Sequence, residues 1–134
     1  MAGLAAAFGS GAMTNSIRDI GDASCILAIG TNTTATHPVI GLEVNRAVSN
    51  GGKLIVANPR EIGLVRIASI WLQHKPGTDV ALLMGMMKVI ADEGLADADF
   101  IKERCENYEA FKESLKGFKA FFDNIDDRSF FTSD

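Results

Sequence analysis

Several features are scarce in this chain, and each scarcity closes off a class of protein. Proline occurs three times, cysteine twice, and tryptophan and tyrosine once each in 134 residues. With 47% apolar and 22% charged residues, that composition does not fit a disordered, collagen-like or low-complexity chain. No stretch reaches the roughly 18 uninterrupted apolar residues that a membrane helix requires. The apolar start, Met1-Ala2-Gly3-Leu4-Ala5-Ala6-Ala7-Phe8, has no basic region ahead of it, so neither export nor membrane insertion is expected. Positive charge is thin as well. Thirteen Lys and Arg stand against 17 Asp and Glu, a net charge of -4 without a basic run, which argues against binding nucleic acid through its backbone.

Cys25 and Cys105 form no CxxC pair. Cys25 lies in an apolar run and reads as a small buried hydrophobe, and a reducing cytoplasm fits such cysteine usage. Two isolated histidines and two distant cysteines make no zinc site, and no serine or cysteine triad is evident. His37, ahead of a proline at a helix start, reads as a cap, and His74 reads as a surface residue.

What is present is an alternation of short apolar runs with helical patterns. A short helix and a loop around Gly9-Ser10-Gly11 come first. Ser24-Cys25-Ile26-Leu27-Ala28-Ile29, closed by Gly30, predicts a strand covered on both faces. Pro38 then opens a helix over Val39–Val48, with Ile40, Val44, Ala47 and Val48 on one face. Asn50-Gly51-Gly52 ends it, and Lys53-Leu54-Ile55-Val56-Ala57 predicts a second buried strand. A short helix over Glu61–Ala68, weakened by Gly63, precedes a third strand over Ser69–Leu72. Thr78 or Asp79 is placed to cap a long helix from Val80 to about Glu93, which Gly94 ends. Two amphipathic segments follow, Asp97–Arg104 and Tyr108–Lys116, with Phe100, Ile101, Phe111 and Leu115 as inward candidates. Ala120–Asp134, rich in Phe and Asp, finds no place in the sheet. Because parallel neighbours need helical crossovers, this order predicts an α/β, Rossmann-like, three-layer domain with a short parallel sheet flanked by helices.

In such a sheet, ligands bind beyond the carboxyl ends of the strands. Three loops qualify. Gly30-Thr31-Asn32-Thr33-Thr34 allows a tight exit and offers donors to phosphate or sugar oxygens, although it is neither GxGxxG nor a P-loop, and an ordinary turn remains the alternative. Asn58-Pro59-Arg60 places an amide where dinucleotide-binding folds often place an acid on a ribose, beside a guanidinium able to pair with phosphate; a plain turn is again the alternative. In Lys75-Pro76-Gly77-Thr78-Asp79, the Asp79 carboxylate matches the N1–H and exocyclic amine of guanine, and equally suits a helix cap.

Four strings, taken together, carry a resemblance: Gly9-Ser10-Gly11-Ala12-Met13-Thr14-Asn15-Ser16, Ile29-Gly30-Thr31-Asn32-Thr33-Thr34 through His37-Pro38, Leu54-Ile55-Val56-Ala57-Asn58-Pro59-Arg60, and Pro76-Gly77-Thr78-Asp79-Val80-Ala81-Leu82-Leu83. In this order and spacing the chain resembles the alpha subunit of formate dehydrogenases in the molybdopterin oxidoreductase family, over residues 2–118. The resemblance implies that 1–118 form the Rossmann-like domain holding one of two molybdopterin guanine dinucleotides around molybdenum or tungsten, with 119–134 an unplaced tail. It implies that Gly30, Thr31, Asn32, Thr33 and Thr34, with His37 closing the loop, approach pyrophosphate and ribose. Asn58, Pro59 and Arg60 would line the guanosine site, and Gly77 with Asp79 would contact guanine. Related enzymes usually have Asp where this chain has Asn58.

No catalytic or metal-ligating residue is assigned within these residues. In the family the metal ligand and the cysteines of a 4Fe-4S cluster lie upstream of the matching segment, so the chain is expected to be a fragment that does not turn over formate alone. The whole enzyme would oxidise formate to carbon dioxide, with the remaining domains of its subunit and its electron-transfer subunits as partners. A free-standing nucleotide-binding α/β module without redox activity is the alternative.

Overall fold

From the amino end the chain forms helix α1 (Ala2–Phe8), a 3-10 turn over Ile17–Asp22, strand β1 (Cys25–Ile29), the single turn α2 (Thr33–Thr36) and helix α3 (Pro38–Ser49). Strand β2 (Lys53–Ala57), a second 3-10 turn over Gly63–Ile67 and strand β3 (Ile70–Leu72) follow. Helices α4 (Asp79–Asp92), α5 (Ala98–Arg104) and α6 (Tyr108–Asp123) come next and are the last elements among the described residues. This is a computed structural model, and it describes residues 2–9, 11–13 and 15–123. The expected tail beyond Asp123 lies outside the described residues, while its first residues continue α6.

The chain divides into two compact units, Met1–Leu72 and Gln73–Asp134. In the first, the strands pair in the order β1-β2-β3, all parallel, with Leu27 opposite Ile55 and Ile55 opposite Ile70. The fold class is thus α/β, a three-stranded parallel sheet flanked by helices, as the alternation of runs predicts. Pro38 stands at the first turn of α3, where its missing N–H costs nothing. One face of α3 buries Gly41, Val44 and Ala47, and Ile40 and Val48 pack against the same core. Leu54 and Val56, alternate residues of β2, join Ala28, Val44, Ile62 and Leu64 in that core. Thus one face of the sheet is sealed by α3 and the 3-10 segments.

The other face departs from expectation. β1 is not covered on both sides: Leu27 is 38% exposed, Ile70 on β3 is 51% exposed, and Cys25 is exposed rather than buried. A continuous apolar run cannot report which of its alternating faces has a neighbour, and here Cys25 and Leu27 share the open one. Cys105 is also exposed. The Glu61–Ala68 helix shortens to a 3-10 turn, Thr33–Thr36, expected as loop, is a helical turn, and Ile17–Asp22, to which the sequence reading assigns no element, is another.

In the second unit, α4 packs on α6, and Leu115 is 3% exposed. Phe100 and Phe111, expected inward, are 59% and 39% exposed. Asp97 caps α5 by accepting from Phe100 N at 2.9 Å, which anchors the backbone of Phe100 while its ring faces out.

The turn from α3 into β2 shows why small residues are needed there. Gly51 has φ +94°, its N–H donates to Val48 O and that of Gly52 to Ala47 O, the paired bonds of a Schellman closure. Asn50 stays on the negative-φ side, so Gly51 alone takes the left-handed position. A Cβ on Gly52 would meet two backbone oxygens, Ala23 O at 2.8 Å and Ala47 O at 2.9 Å. Neither oxygen can rotate away. Gly52→Ala is therefore expected to lower stability by about 1–3 kcal/mol, read from the urea midpoint at unchanged m-value. An unchanged midpoint would contradict this packing.

Candidate functional site

The carboxyl ends of β1 and β2 carry two loops that the structure brings together. Gly30 continues the sheet by donating to Ala57 O at 3.0 Å, then turns at φ +60°. A Cβ there would meet nothing within 4 Å, so its backbone faces open space. The loop winds at once into α2, where Thr36 Oγ1 donates to Asn32 O at 2.9 Å. With that hydroxyl proton committed, the His37 ring donates through Nδ1 to Thr36 Oγ1, also at 2.9 Å. His37 therefore occupies the N-cap position of α3 without capping it, because its ring is engaged by the preceding residue. Thr31 and Asn32 are half-buried, Thr34 is exposed, and Thr33 is buried. The Thr33 hydroxyl is sealed from solvent and has no hydrogen-bond partner.

Asn58 joins this loop to the next. It is 7% exposed, and all four of its polar groups are used. Its backbone N–H donates to Leu72 O at 3.1 Å, and its carbonyl accepts from Trp71 Nε1 at 2.9 Å. The side-chain Oδ1 accepts from Arg60 N at 3.0 Å, and Nδ2 donates to Thr31 O at 3.4 Å. One amide proton and one oxygen lone pair remain for a ligand. Pro59 is half-buried, and Arg60 is exposed and pairs with no carboxylate among the described residues. A groove of 370 Å³ lined by Gly21, Asp22, Ser24, Asn50 and Gly52 sits at the amino ends of β1 and β2. There α3 presents its negative C-terminal end, a poor setting for phosphate.

The third loop belongs to the second unit. Lys75-Pro76-Gly77-Thr78 is a tight turn closed by Thr78 N donating to Lys75 O at 3.1 Å, with Gly77 at φ +86° in the position a type II turn reserves for glycine. Such a turn brings its flanking residues face to face. His74 Nε2 lies 3.0 Å from Asp79 Oδ1. His74 is 1% exposed, not a surface residue, and its Nδ1 has no hydrogen-bond partner. Thr78 holds the N-cap position of α4 without a side-chain cap bond, its hydroxyl donating instead to Lys75 O at 2.7 Å. Capping is thus not the role of either candidate side chain. Sequence reasoning missed His74; the available signal was a His and an Asp flanking Lys-Pro-Gly-Thr at the distance such a turn closes.

The family model for molybdopterin oxidoreductases matches residues 3–122. The chain belongs to the molybdopterin oxidoreductase family. It is 50% identical over 114 residues to the F420-dependent formate dehydrogenase subunit alpha of Methanocaldococcus jannaschii, covering 85% of this chain and 17% of that one. It is 36% identical over 118 residues to formate dehydrogenase H of Escherichia coli, covering 88% of this chain and 16% of the relative. The solved acetylene hydratase from Pelobacter acetylenicus superposes with a TM-score of 0.66 at 36% identity, over 74% of this chain and 14% of that one. The chain therefore spans about one-sixth of the relatives it matches.

The family implies a molybdopterin cofactor, and the loops after β1 and β2 in the first unit have the donors for such a group: Gly30 leaves room for close backbone approach, Thr33 holds an unspent hydroxyl, and Arg60 is an exposed cation. In the second unit, Asp79 keeps a 47% exposed carboxylate side chain. Because Asn58 satisfies two loops at once, Asn58→Ala strands the Thr31 carbonyl and the Arg60 N–H. The expected loss is about 1–3 kcal/mol of unfolding free energy in urea titration, and a loss below about 0.3 kcal/mol would show that the loops hold without it.

Proposed function

We infer that this chain is the part of a formate dehydrogenase-like molybdopterin enzyme that grips the nucleotide end of the cofactor. The observation that carries the reading is the Asn58 bridge, which fastens the loops after β1 and β2 side by side at the sheet's carboxyl edge. That edge is where an open parallel sheet receives a dinucleotide. Gly30–Thr34 would take the pyrophosphate and ribose, with Thr33 Oγ1 donating to an oxygen. Asn58 and Arg60 would line the guanosine, Arg60 facing phosphate through its planar donor fork. Asp79 would accept the two in-plane donors of guanine, with Gly77 allowing close approach. When bound, molybdopterin guanine dinucleotide supplies a molybdenum or tungsten centre for two-electron oxidation. This chain binds and orients it, the share a protein takes in cofactor chemistry.

The relatives support a cofactor role over a substrate-choosing one. Proteins named formate dehydrogenase, assimilatory nitrate reductase and acetylene hydratase all match this same stretch at 36–50% identity. Three differently named enzymes match it, and a shared stretch of a molybdopterin family fits a role toward the cofactor better than one in choosing a substrate. Formate oxidation to carbon dioxide, a 4Fe-4S cluster and electron-transfer partners belong, in this reading, to the parent enzyme, and the chain alone does not turn over formate.

The test is the thermal midpoint of the chain with GDP, ADP and buffer, since a ligand that binds only the folded state raises it by mass action. A rise with GDP that exceeds the rise with ADP supports the guanosine assignment. Equal rises favour a general nucleotide-binding module, and no rise with either nucleotide overturns the assigned loops. Thr33→Val separates binding from folding. Removing a buried hydroxyl that has no partner should leave the free chain as stable or raise its stability by up to about 1 kcal/mol. The same change should weaken protection by both nucleotides, because phosphate is common to them. Full protection of the variant would remove Thr33 from the site.

A further inference from the structure

We propose that His74 is a positioning residue for base recognition, holding the Asp79 carboxylate in the orientation that reads guanine. This rests on the reading of Asp79 given above and adds a second residue to it. A carboxylate only accepts hydrogen bonds, so in the 3.0 Å contact the His74 Nε2–H donates to Asp79 Oδ1. The ring is 1% exposed and its Nδ1 is sealed from solvent with no partner. The bond to Asp79 is therefore the imidazole's one hydrogen bond, and breaking it would leave both ring nitrogens unpaired inside the protein. Buried polar groups resist that strongly. The pair is anchored at the buried end and open at the other, because the Asp79 side chain is 47% exposed.

Two further observations leave the carboxylate free for this task. Asp79 is the first residue of α4 and not its N-cap, a position that Thr78 holds with its hydroxyl turned back on Lys75. The turn that juxtaposes the two residues depends on Gly77 at φ +86°, a conformation that other side chains rarely adopt. One lone pair of Oδ1 is spent on His74, leaving the second lone pair of Oδ1 and both of Oδ2. That is sufficient for the N1–H and the exocyclic N–H of guanine together. Adenine presents an acceptor at N1 and would meet the carboxylate with repulsion, so a fixed carboxylate raises discrimination and a freely rotating one lowers it.

The experiment compares binding of GDP, IDP and ADP to the wild-type chain and to Asp79→Asn, His74→Phe and His74→Gln by calorimetric titration. IDP keeps the N1–H and lacks the exocyclic amine. The wild type is expected to prefer GDP over IDP and IDP over ADP. His74→Phe should reduce the GDP-to-ADP ratio about tenfold, the scale of one charge-assisted hydrogen bond, and His74→Gln, whose amide N–H can replace Nε2–H, should restore most of it. If the wild type shows no guanine preference, or Asp79→Asn keeps it, the Asp79 reading and this inference fall together. If Asp79→Asn loses the preference and His74→Phe keeps it in full, the inference alone is overturned. A measurement that needs no variant at position 74 guards against misfolding. Long-range proton–nitrogen NMR of the wild-type ring should show a slowly exchanging Nε2 proton that shifts in Asp79→Asn, and a ring protonated only at Nδ1 would overturn the proposal.

Discussion

Asn58 is the residue on which the rest of the carboxyl edge depends. It follows the last residue of β2, and its four polar groups reach three segments: β3 through Leu72 O and the Trp71 indole, its own loop through Arg60 N, and the β1 exit through Thr31 O. Burial explains why all four must be met, because an unpaired polar group at 7% exposure costs more than a typical hydrogen bond returns. An amide side chain can give to a carbonyl through its nitrogen and accept from an N–H through its oxygen, two atoms facing two loops. A carboxylate at this position could still accept from Arg60 N, but it would turn an oxygen toward the oxygen of Thr31. The asparagine is thus suited to joining two loops, whatever it contributes to a ribose.

From that junction the order of events along the chain follows simply. The sheet ladder carries past β1 through Gly30 N and past β2 through Asn58 N, so both loops leave the sheet at the same level. Gly30 turns away at once, α2 coils the threonines into one compact turn, and the buried Gly41 of α3 lies against the backbone of Thr33 and Thr34. The loop is held by its own backbone and side-chain hydrogen bonds. Its unspent groups, the Thr33 hydroxyl above all, are those the protein has not already satisfied internally.

Much of this is legible in the residue order, and the gaps have physical causes. Strands β1 to β3, the start of α3 at Pro38, its stop at Gly51 and the end of α4 before Gly94 follow from runs, spacing and punctuation, which are local properties. The exposure of Cys25, Leu27, Phe100 and Phe111 is not local, for it depends on whether another element covers that face. The site divides in the same way. The three loops can be found from strand ends, but the Asn58 to Thr31 bond spans 27 positions, and the burial of His74 depends on its surroundings. A polar residue between apolar neighbours gives no sign of whether it will be wetted or sealed.

The acidic balance of the chain is compatible with an anionic ligand once distance is considered. A net charge of -4 is spread over 134 residues, and at physiological salt a charge beyond about 8 Å is largely screened. What acts on a diphosphate is therefore the local set. Gly30 to His37 contains no acid, Asn58-Pro59-Arg60 adds one cation, and Glu61 is the first acid to follow. On the proposed reading, recognition would rest on neutral donors rather than on bulk charge. Such donors favour a ligand whose oxygens match their spacing, whereas a basic patch would attract polyanions in general. The proposed dinucleotide therefore asks of this acidic chain only one guanidinium, Arg60, and a row of hydroxyls, and no basic patch of the kind that nucleic acid needs.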